Sequence, residues 1–331
     1  MQHVLVLATS FLDKPVTNHP KAGAARQILD ELAQQPDVTV EYRCDRNPLE
    51  PLTPEELKGV TAIIADLEQY PAELLRRIGP AGGGSVRLIS RYGVGTDSVD
   101  IAGATAAGIM VTNTPGCNSR PTAEWAVTTL LDVAGRRNVH HERASAGLTK
   151  IGPSRLDVTG RCLGVVGTGM IGRIVVELLS GFNMRVLAYD PYPNKEWAAA
   201  NGVEYVPFDR LLEESDFITL HAAAREQIIG EQEIARMRPD TVLINCARWV
   251  LVDNRALYQA VKSGNLYGYG IDEVWIENDL PLQGLNISAS PHVGSDSDDG
   301  KIGMQLATAQ QMRSFVNGGT PDNLLNPDVL A

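Results

Sequence analysis

The sequence is poor in features that would each point to a different class of protein. It has only four cysteines, Cys44, Cys117, Cys162 and Cys246, and no CxxC pair among them. Scattered thiols in a chain of 331 residues predict neither a disulfide framework nor a metal site. Basic residues are outnumbered, with 29 Lys and Arg against 40 Asp and Glu. Because polyanions bind through clustered Lys and Arg, we expect no nucleic-acid partner.

The sequence also lacks a long apolar run. No stretch reaches the length of a membrane span, and residues 1–8 enter an apolar strand without the basic start and cleavage site of a signal peptide. We therefore expect no membrane partner and a cytoplasmic location. The composition, 44% hydrophobic and 21% charged, is globular, and the length favours two domains.

What the chain does have is a repeated alternation of short Val/Leu/Ile-rich runs with helical stretches. This pattern is typical of βαβ units and predicts an α/β fold with parallel sheets. Strands are expected in two series, at 4–8, 38–42, 62–65, 88–90 and 110–112, and then at 162–166, 185–189, 217–220, 242–245, 267–271 and 286–289. Helices are expected at 24–34, after Pro121 and at 301–317, with a polar stretch over 140–157.

A glycine motif opens the second series. The sequence Gly167-Thr168-Gly169-Met170-Ile171-Gly172 leaves an apolar strand and enters a helix, as a dinucleotide-binding GxGxxG does. Gly167 would allow the tight turn, Gly169 the approach of a pyrophosphate, and Gly172 close packing of helix on strand. The N–H groups at the start of the helix would bind the phosphates.

Asp190 ends the following strand, 18 residues after Gly172. At that position a carboxylate accepts hydrogen bonds from ribose hydroxyls and repels a 2′-phosphate, which favours NAD over NADP. The alternative is that the glycines form an ordinary strand-to-helix turn and that Asp190 only starts a turn with Pro191.

Hydride reduction of a keto acid requires a cation for the carboxylate and a proton donor for the ketone oxygen. Arg248 comes just after an apolar strand and could hold a carboxylate, although a surface salt bridge is the alternative. His292 follows the last apolar strand and titrates near neutrality, so it is the expected proton donor. Glu277 could pair with His292, unless it is a solvated loop residue. His221, which also ends a strand, is the competing base.

These elements together resemble the D-2-hydroxyacid dehydrogenase family over nearly the whole chain. The resemblance assigns the catalytic residues to Arg248, Glu277 and His292, and the 29 residues from Arg248 to Glu277 match the family interval. It places Asp272 at the nicotinamide carboxamide and puts His221, Cys246 and Ala247 in the cofactor site. It also implies that the loop Gly93-Val94-Gly95 binds the substrate carboxylate on backbone N–H groups.

The subgroup that the chain most resembles comprises phosphoglycerate dehydrogenases without a regulatory domain. The resemblance rests on the Arg91 loop and on the segments 179–182 and 188–193. Arg91 and Arg120 could then bind a second anionic group such as a phosphate or phosphonate, although a solvated helix-start residue is an equal alternative for Arg120. Trp249 stands where the family usually has Gly, and it would line or narrow the substrate site.

The resemblance also implies an organisation. Residues 1–105 and 295–331 would form a discontinuous, flavodoxin-like substrate domain, and 106–294 a Rossmann NAD-binding domain, with a cleft between them. An arm near 120–155 would build a homodimer. The predicted activity is NAD-dependent interconversion of a small 2-keto acid and its 2-hydroxy acid. The alternatives are a dinucleotide-sensing binding protein resembling the family's co-repressors, and a formate or phosphite dehydrogenase.

Overall fold

The computed structural model describes residues 1–12, 19–148, 152–273 and 280–331. Its strands are β1 (Gln2–Val6), β2 (Val38–Tyr42), β3 (Ala62–Ala65), β4 (Leu88–Arg91), β5 (Met110–Thr112), β6 (Cys162–Val166), β7 (Arg185–Tyr189), β8 (Val203–Tyr205), β9 (Phe217–Leu220), β10 (Val242–Asn245), β11 (Gly268–Asp272) and β12 (Ile287–Ser290). Its α-helices are α1 (Ala24–Ala33), α2 (Ala72–Ile78), α3 (Ile101–Ala107), α4 (Ser119–Ala134), α5 (Arg137–Ser145), α6 (Met170–Leu178), α7 (Lys195–Asn201), α8 (Phe208–Glu214), α9 (Glu231–Arg236), α10 (Asn254–Ser263) and α11 (Asp298–Val316). The α/β class predicted from the alternation of strands and helices is confirmed.

The chain divides into two compact units. The first comprises Met1–Asn118 and Ser297–Ala331 and contains a five-stranded parallel sheet in the order β2-β1-β3-β4-β5. This is the flavodoxin-like order. Successive strand residues enter opposite layers, since Val4 and Val6 pack with α1 and α11 while Leu5 packs on the other face.

The second unit, Ser119–Asp296, contains a seven-stranded parallel sheet in the order β12-β11-β10-β9-β6-β7-β8. Its first six strands in chain order follow the Rossmann arrangement, with β12 added beside β11. The strand order reverses between β9 and β6, and ligands of such sheets bind beyond the carboxyl ends of the strands at that point. The sheet is buried on both faces, by one apolar cluster containing Val165 and Phe217 and another containing Val166 and Leu220.

Local sequence explains where several helices begin. Asp100, Asp253 and Ser297 each precede a helix and accept a hydrogen bond from a backbone N–H of its first turn. Ser297 caps α11, which begins at Asp298, three residues before the predicted start at Lys301. Asp298 and Asp299 occupy its first turn, where acidic side chains interact favourably with the helix dipole.

The structure corrects three expectations about the elements. Residues 106–118 belong to the first unit instead of the second, because β5 pairs with β4. Part of the polar stretch predicted over 140–157 lies in α5, which none of the expected helices included. The short edge strand β8 was not predicted, since its sequence Val203-Glu204-Tyr205 has a charged residue at its centre and forms no apolar run, unlike the equally short β5. In the described part of the chain, no helix has both the length and the apolarity needed to cross a bilayer.

Candidate active site

Most of the predicted functional residues of the second unit lie at one edge of its sheet. Gly167, Asp190, His221, Arg248 and His292 follow the carboxyl ends of β6, β7, β9, β10 and β12 respectively. Because all seven strands are parallel, these ends share one side of the sheet. Parallel pairing therefore gathers residues that are more than 100 positions apart in the sequence.

The three motif glycines are held by different constraints. Gly167 has φ +92°, and a Cβ there would lie 2.7 Å from the backbone N of Ala222. A Cβ on Gly172 would overlap the carbonyl oxygen of Gly167. A Cβ on Gly169 would meet nothing within 4 Å, although this residue precedes the first turn of α6. Protein packing thus explains two glycines, while the third leaves a space beside the N–H groups of a helix start, which fits a pyrophosphate.

Asp190 is fixed at the end of β7 by backbone and side-chain donors. Its Oδ2 accepts from the N–H and the hydroxyl of Thr168, at 2.7 and 2.9 Å, and its Oδ1 accepts from the N–H of Tyr192 at 2.8 Å. Partial burial opposes ionisation, but the hydrogen bonds from Tyr192 and Thr168 outweigh it and lower the pKa of Asp190. The residue therefore presents a carboxylate beside the glycine loop.

Arg248 is positioned by the residue that ends β10. The side chain of Asn245, 1% exposed, accepts from the N–H of Ala247 and donates to the carbonyl oxygen of Arg248, at 3.1 and 2.7 Å. The guanidinium of Arg248 donates to the carbonyl oxygen of Ala247 at 2.8 Å. Sequence reasoning missed Asn245, although a polar residue ending an apolar strand is a recognisable signal.

His292 lies on a loop that Asp272 holds. The backbone of His292 is left-handed, with φ +60°, a conformation that costs a residue with a side chain about 1–2 kcal/mol. The buried carboxylate of Asp272 accepts from the N–H groups of Val293 and Gly294, at 2.8 and 2.7 Å, and from the hydroxyl of Ser290 at 2.6 Å. In this structure Asp272 therefore tethers the loop that carries His292.

A carboxylate that sequence reasoning did not consider lies beside His292. Glu273 Oε1 is 3.8 Å from His292 Nδ1, and Glu273 Oε2 accepts from the backbone N–H of Trp249. The predicted partner, Glu277, lies outside the described residues. Glu273 directly follows Asp272 at the end of β11, a position that strand-end reasoning could have identified.

His221 lies in a different environment from His292. Its Nε2 is 2.9 Å from the Thr219 hydroxyl, and its Nδ1 is buried without a hydrogen-bond partner in the described structure. Burial lowers the pKa of His221 to about 4. Protonation of its imidazole is therefore disfavoured, which argues against His221 as the proton donor. Cys246, a buried residue at the same edge, has a raised pKa because burial disfavours its thiolate.

The predicted carboxylate-binding loop lies at the carboxyl edge of the first unit's sheet. The N–H of Gly93 donates to the Thr114 hydroxyl at 3.0 Å, and the Asn113 amide donates to the carbonyl oxygen of Val94 at 2.9 Å. In the described part of the chain, the N–H groups of Val94 and Gly95 have no hydrogen-bond acceptor. The donors expected from this loop are therefore Val94 and Gly95, while that of Gly93 holds the loop in shape.

The predicted specificity residues have distinct surroundings. Arg91 is 8% exposed, and its guanidinium donates to the carbonyl oxygen of Tyr92. Arg120 is exposed on α4 and pairs with Glu124 and Glu177, at 3.3 and 3.2 Å. Trp249 is 44% exposed in a 3-10 turn after Arg248.

Comparison with known proteins identifies the family to which these features belong. Residues 127–294 match the model for the NAD-binding domain of D-isomer-specific 2-hydroxyacid dehydrogenases. This match includes the glycine loop, Asp190, Arg248 and His292 and covers more than half of the chain. The chain belongs to this family of dehydrogenases.

Individual members of the D-2-hydroxyacid dehydrogenase family differ in their named substrates. A glyoxylate reductase from Korarchaeum cryptofilum is 40% identical over 258 residues, covering 74% of this chain and 77% of the relative. A D-3-phosphoglycerate dehydrogenase from Methanocaldococcus jannaschii is 35% identical over 251 residues, covering 73% of this chain and 48% of the relative. The crystal structure of a glyoxylate reductase from Paecilomyes thermophila superposes with TM-score 0.79 and 26% identity, covering 98% of each chain.

The family match confirms NAD as the cofactor and the protein as an oxidoreductase acting on 2-hydroxy acids. The geometry of the second unit fits this dinucleotide, because the open space at Gly169, the start of α6 and the ionised Asp190 offer sites for a pyrophosphate and a ribose diol.

Proposed function

We propose that the protein is a reductase of small 2-keto acids that carry a single negative charge, such as glyoxylate and hydroxypyruvate. The reaction consumes one keto acid, one NADH and one proton and yields the 2-hydroxy acid and NAD. The proposal rests on Arg91 and Arg120, the two cations predicted to bind a second anionic group. Arg91 is buried, and Arg120 is paired with carboxylates.

Arg91 is committed to the interior of the first unit. Its side chain is buried and donates to the carbonyl oxygen of the next residue, and its charge interacts with the buried carboxyl of Glu68. Burial raises the pKa of Glu68, and the charge of Arg91 opposes that rise. A phosphate would have to reach a guanidinium that is 8% exposed and already hydrogen-bonded to the backbone.

Arg120 is shared between two carboxylates. Glu124 lies one helical turn along α4 and Glu177 lies on α6, so the guanidinium is flanked by two negative charges. Exposed pairs of this kind contribute about 0–1 kcal/mol each and do not immobilise the side chain. They do make the surroundings of Arg120 unfavourable for a doubly charged phosphate. This supports the solvated interpretation of Arg120.

The residues of the second unit suit the chemical step. We assign carboxylate binding and polarisation of the ketone to Arg248, and proton donation to the ketone oxygen to His292. Bound NADH supplies the hydride. A carboxylate could orient the His292 imidazole, and the candidates are Glu273, 3.8 Å from Nδ1, and the motif residue Glu277. We assign substrate binding in the first unit to the N–H groups of Val94 and Gly95.

The names of the relatives support this choice of substrate. Relatives named glyoxylate reductase include one that is 40% identical to this chain, whereas this chain spans about half the length of the phosphoglycerate dehydrogenase it matches. The half-exposed Trp249 beside Arg248 would further limit the size of the acid.

The test compares two keto acids that differ by one phosphate. NADH oxidation is followed with hydroxypyruvate and with phosphohydroxypyruvate, and then with glyoxylate and pyruvate. Formate and phosphite are hydride donors, so they are tested separately for NADH formation from NAD. We expect kcat/KM for hydroxypyruvate to exceed that for phosphohydroxypyruvate roughly 100-fold, the discrimination that an unpaired, desolvated charge imposes. Preference for the phosphorylated acid, lost in Arg91→Gln or Arg120→Gln, would contradict the proposal.

A further inference from the structure

We propose that Tyr205 is a positioning residue for the cofactor, which acts through Thr168 to orient the Asp190 carboxylate and so favours NADH over NADPH. Tyr205 ends the short edge strand β8, two strands away from the glycine loop. It belongs to no sequence motif discussed above. The structure nevertheless connects Tyr205 to Asp190, to which we assign ribose binding, by two consecutive hydrogen bonds.

The connection is a chain of short contacts. The Tyr205 hydroxyl oxygen is 2.7 Å from the Thr168 hydroxyl oxygen, which is 2.9 Å from Asp190 Oδ2. The backbone N–H of Asn194 donates to the Tyr205 hydroxyl at 3.1 Å. Thr168 is 2% exposed, so solvent does not compete for its hydroxyl.

The ionised state of Asp190 fixes the direction of each bond. A carboxylate only accepts, so the Thr168 hydroxyl donates its one proton to Asp190. The Thr168 oxygen must then accept from Tyr205, whose own oxygen accepts from Asn194. Every hydroxyl in the chain thus donates once and accepts once, and the arrangement has a single consistent orientation.

This orientation determines which carboxylate oxygen is available to a ligand. Asp190 Oδ2 receives both donors of Thr168, whereas Oδ1 receives only the N–H of Tyr192. A carboxylate oxygen offers two acceptor positions, so Oδ1 retains one for a ribose hydroxyl. The negative charge held in the same place repels a 2′-phosphate.

A cation near this network, Arg173, is held by contacts with neighbouring residues. Arg173, whose charge helps to lower the pKa of Asp190, donates from Nε to the carbonyl oxygen of Thr168 at 2.7 Å. Its guanidinium lies 5.3 Å from the ring centroid of Trp197. These contacts engage Arg173 with the Thr168 backbone and with Trp197, and we assign the choice between the two dinucleotides to the negative charge of Asp190.

The test measures binding of NADH and NADPH by fluorescence titration without substrate, so its result does not depend on which keto acid is reduced. Tyr205→Phe removes the hydroxyl and keeps the ring, and Thr168→Val removes the hydroxyl and keeps the shape. Tyr42→Phe, in the first unit, is the matched control. Thermal unfolding of each variant shows whether its fold is intact.

We expect Thr168→Val to weaken NADH binding roughly tenfold and Tyr205→Phe roughly threefold, as the loss of one charge-assisted and one neutral hydrogen bond implies. NADPH binding should stay within about twofold, since a released Asp190 repels the 2′-phosphate less. The double variant should match Thr168→Val alone, because Tyr205 acts through Thr168. Unchanged dinucleotide affinities in Tyr205→Phe, equal weakening of NADH and NADPH, or additive losses in the double variant would each overturn the proposal.

Discussion

At the scale of single residues, identical side chains in this protein have different functions because their surroundings differ. Gly167 and Gly172 are required by the backbone around them, whereas a Cβ on Gly169 would project into open space. His221 is partly buried with its Nδ1 enclosed, whereas the side chain of His292 is 48% exposed. Sequence identified all five residues as candidates, but only their packing separates the structural from the functional ones.

Gly169→Ala should separate folding from cofactor binding. Its φ of −68° is accessible to Ala, so the thermal unfolding temperature should be unchanged or slightly raised. NADH binding should fall at least tenfold, since the methyl group fills the space that we assign to the pyrophosphate. Gly167→Ala is the comparison: it should lower stability by about 2 kcal/mol or more, because φ is +92° and the Cβ collides with Ala222. Unaltered NADH affinity in Gly169→Ala would refute this placement of the pyrophosphate.

The partly buried His221 should make stability depend on pH. Its pKa falls from 6.5 to about 4 on folding, so the unfolded chain binds the proton more tightly than the native protein. The contribution of neutral His221 to the free energy of unfolding is fully present above pH 6.5. It declines by up to about 3 kcal/mol as the pH falls towards 4. Urea unfolding of wild type and His221→Gln at pH 7.5, 6 and 5 measures the difference. If both proteins lost stability equally as the pH falls, folding would not lower the pKa of His221.

At the scale of elements, the ends of parallel strands position the chemistry. The apolar runs predicted β6, β7, β9 and β10 at the residues where the structure has them. The rest lacked an apolar pattern: β8 has a glutamate at its centre and α5 buries no residue, so neither gives a periodic signal. Tyr205 was missed for the same reason, and the tether from Asp272 to the His292 loop depends on hydrogen bonds that no spacing rule reveals.

Asp272→Asn tests that tether. The amide would present a donor to one of the N–H groups of Val293 and Gly294, so one loop bond would be lost. We expect kcat to fall roughly tenfold, with the Kd for NADH within about twofold, because the loop carries the proton donor and not the dinucleotide. In Asp272→Ala we expect a larger fall in kcat, because all of the loop bonds to this side chain are lost. If the Kd for NADH rises while kcat is retained, Asp272 contacts the nicotinamide carboxamide, as the family resemblance implied.

At the scale of the whole molecule, two parallel-sheet units carry separate parts of the machinery. The second unit contains the NAD-binding residues together with Arg248 and His292, and the first contains the loop assigned to the substrate. Fold class, family and cofactor could be predicted from sequence because glycine spacing and strand patterns are local features. The charge preference that we propose for the substrate could not, since it rests on the burial of Arg91 and on the pairing of Arg120 with Glu177.

We propose that this chain reduces a 2-keto acid with His292 as the proton donor. The most direct measurement is NADH oxidation with glyoxylate by wild type and His292→Asn, with His140→Asn as control; Asn tolerates the left-handed backbone at position 292. We predict turnover by wild type and His140→Asn, and a kcat at least about 100-fold lower in His292→Asn with NADH binding intact. An inactive wild type across the keto acid panel, or wild-type turnover in His292→Asn, would contradict the account.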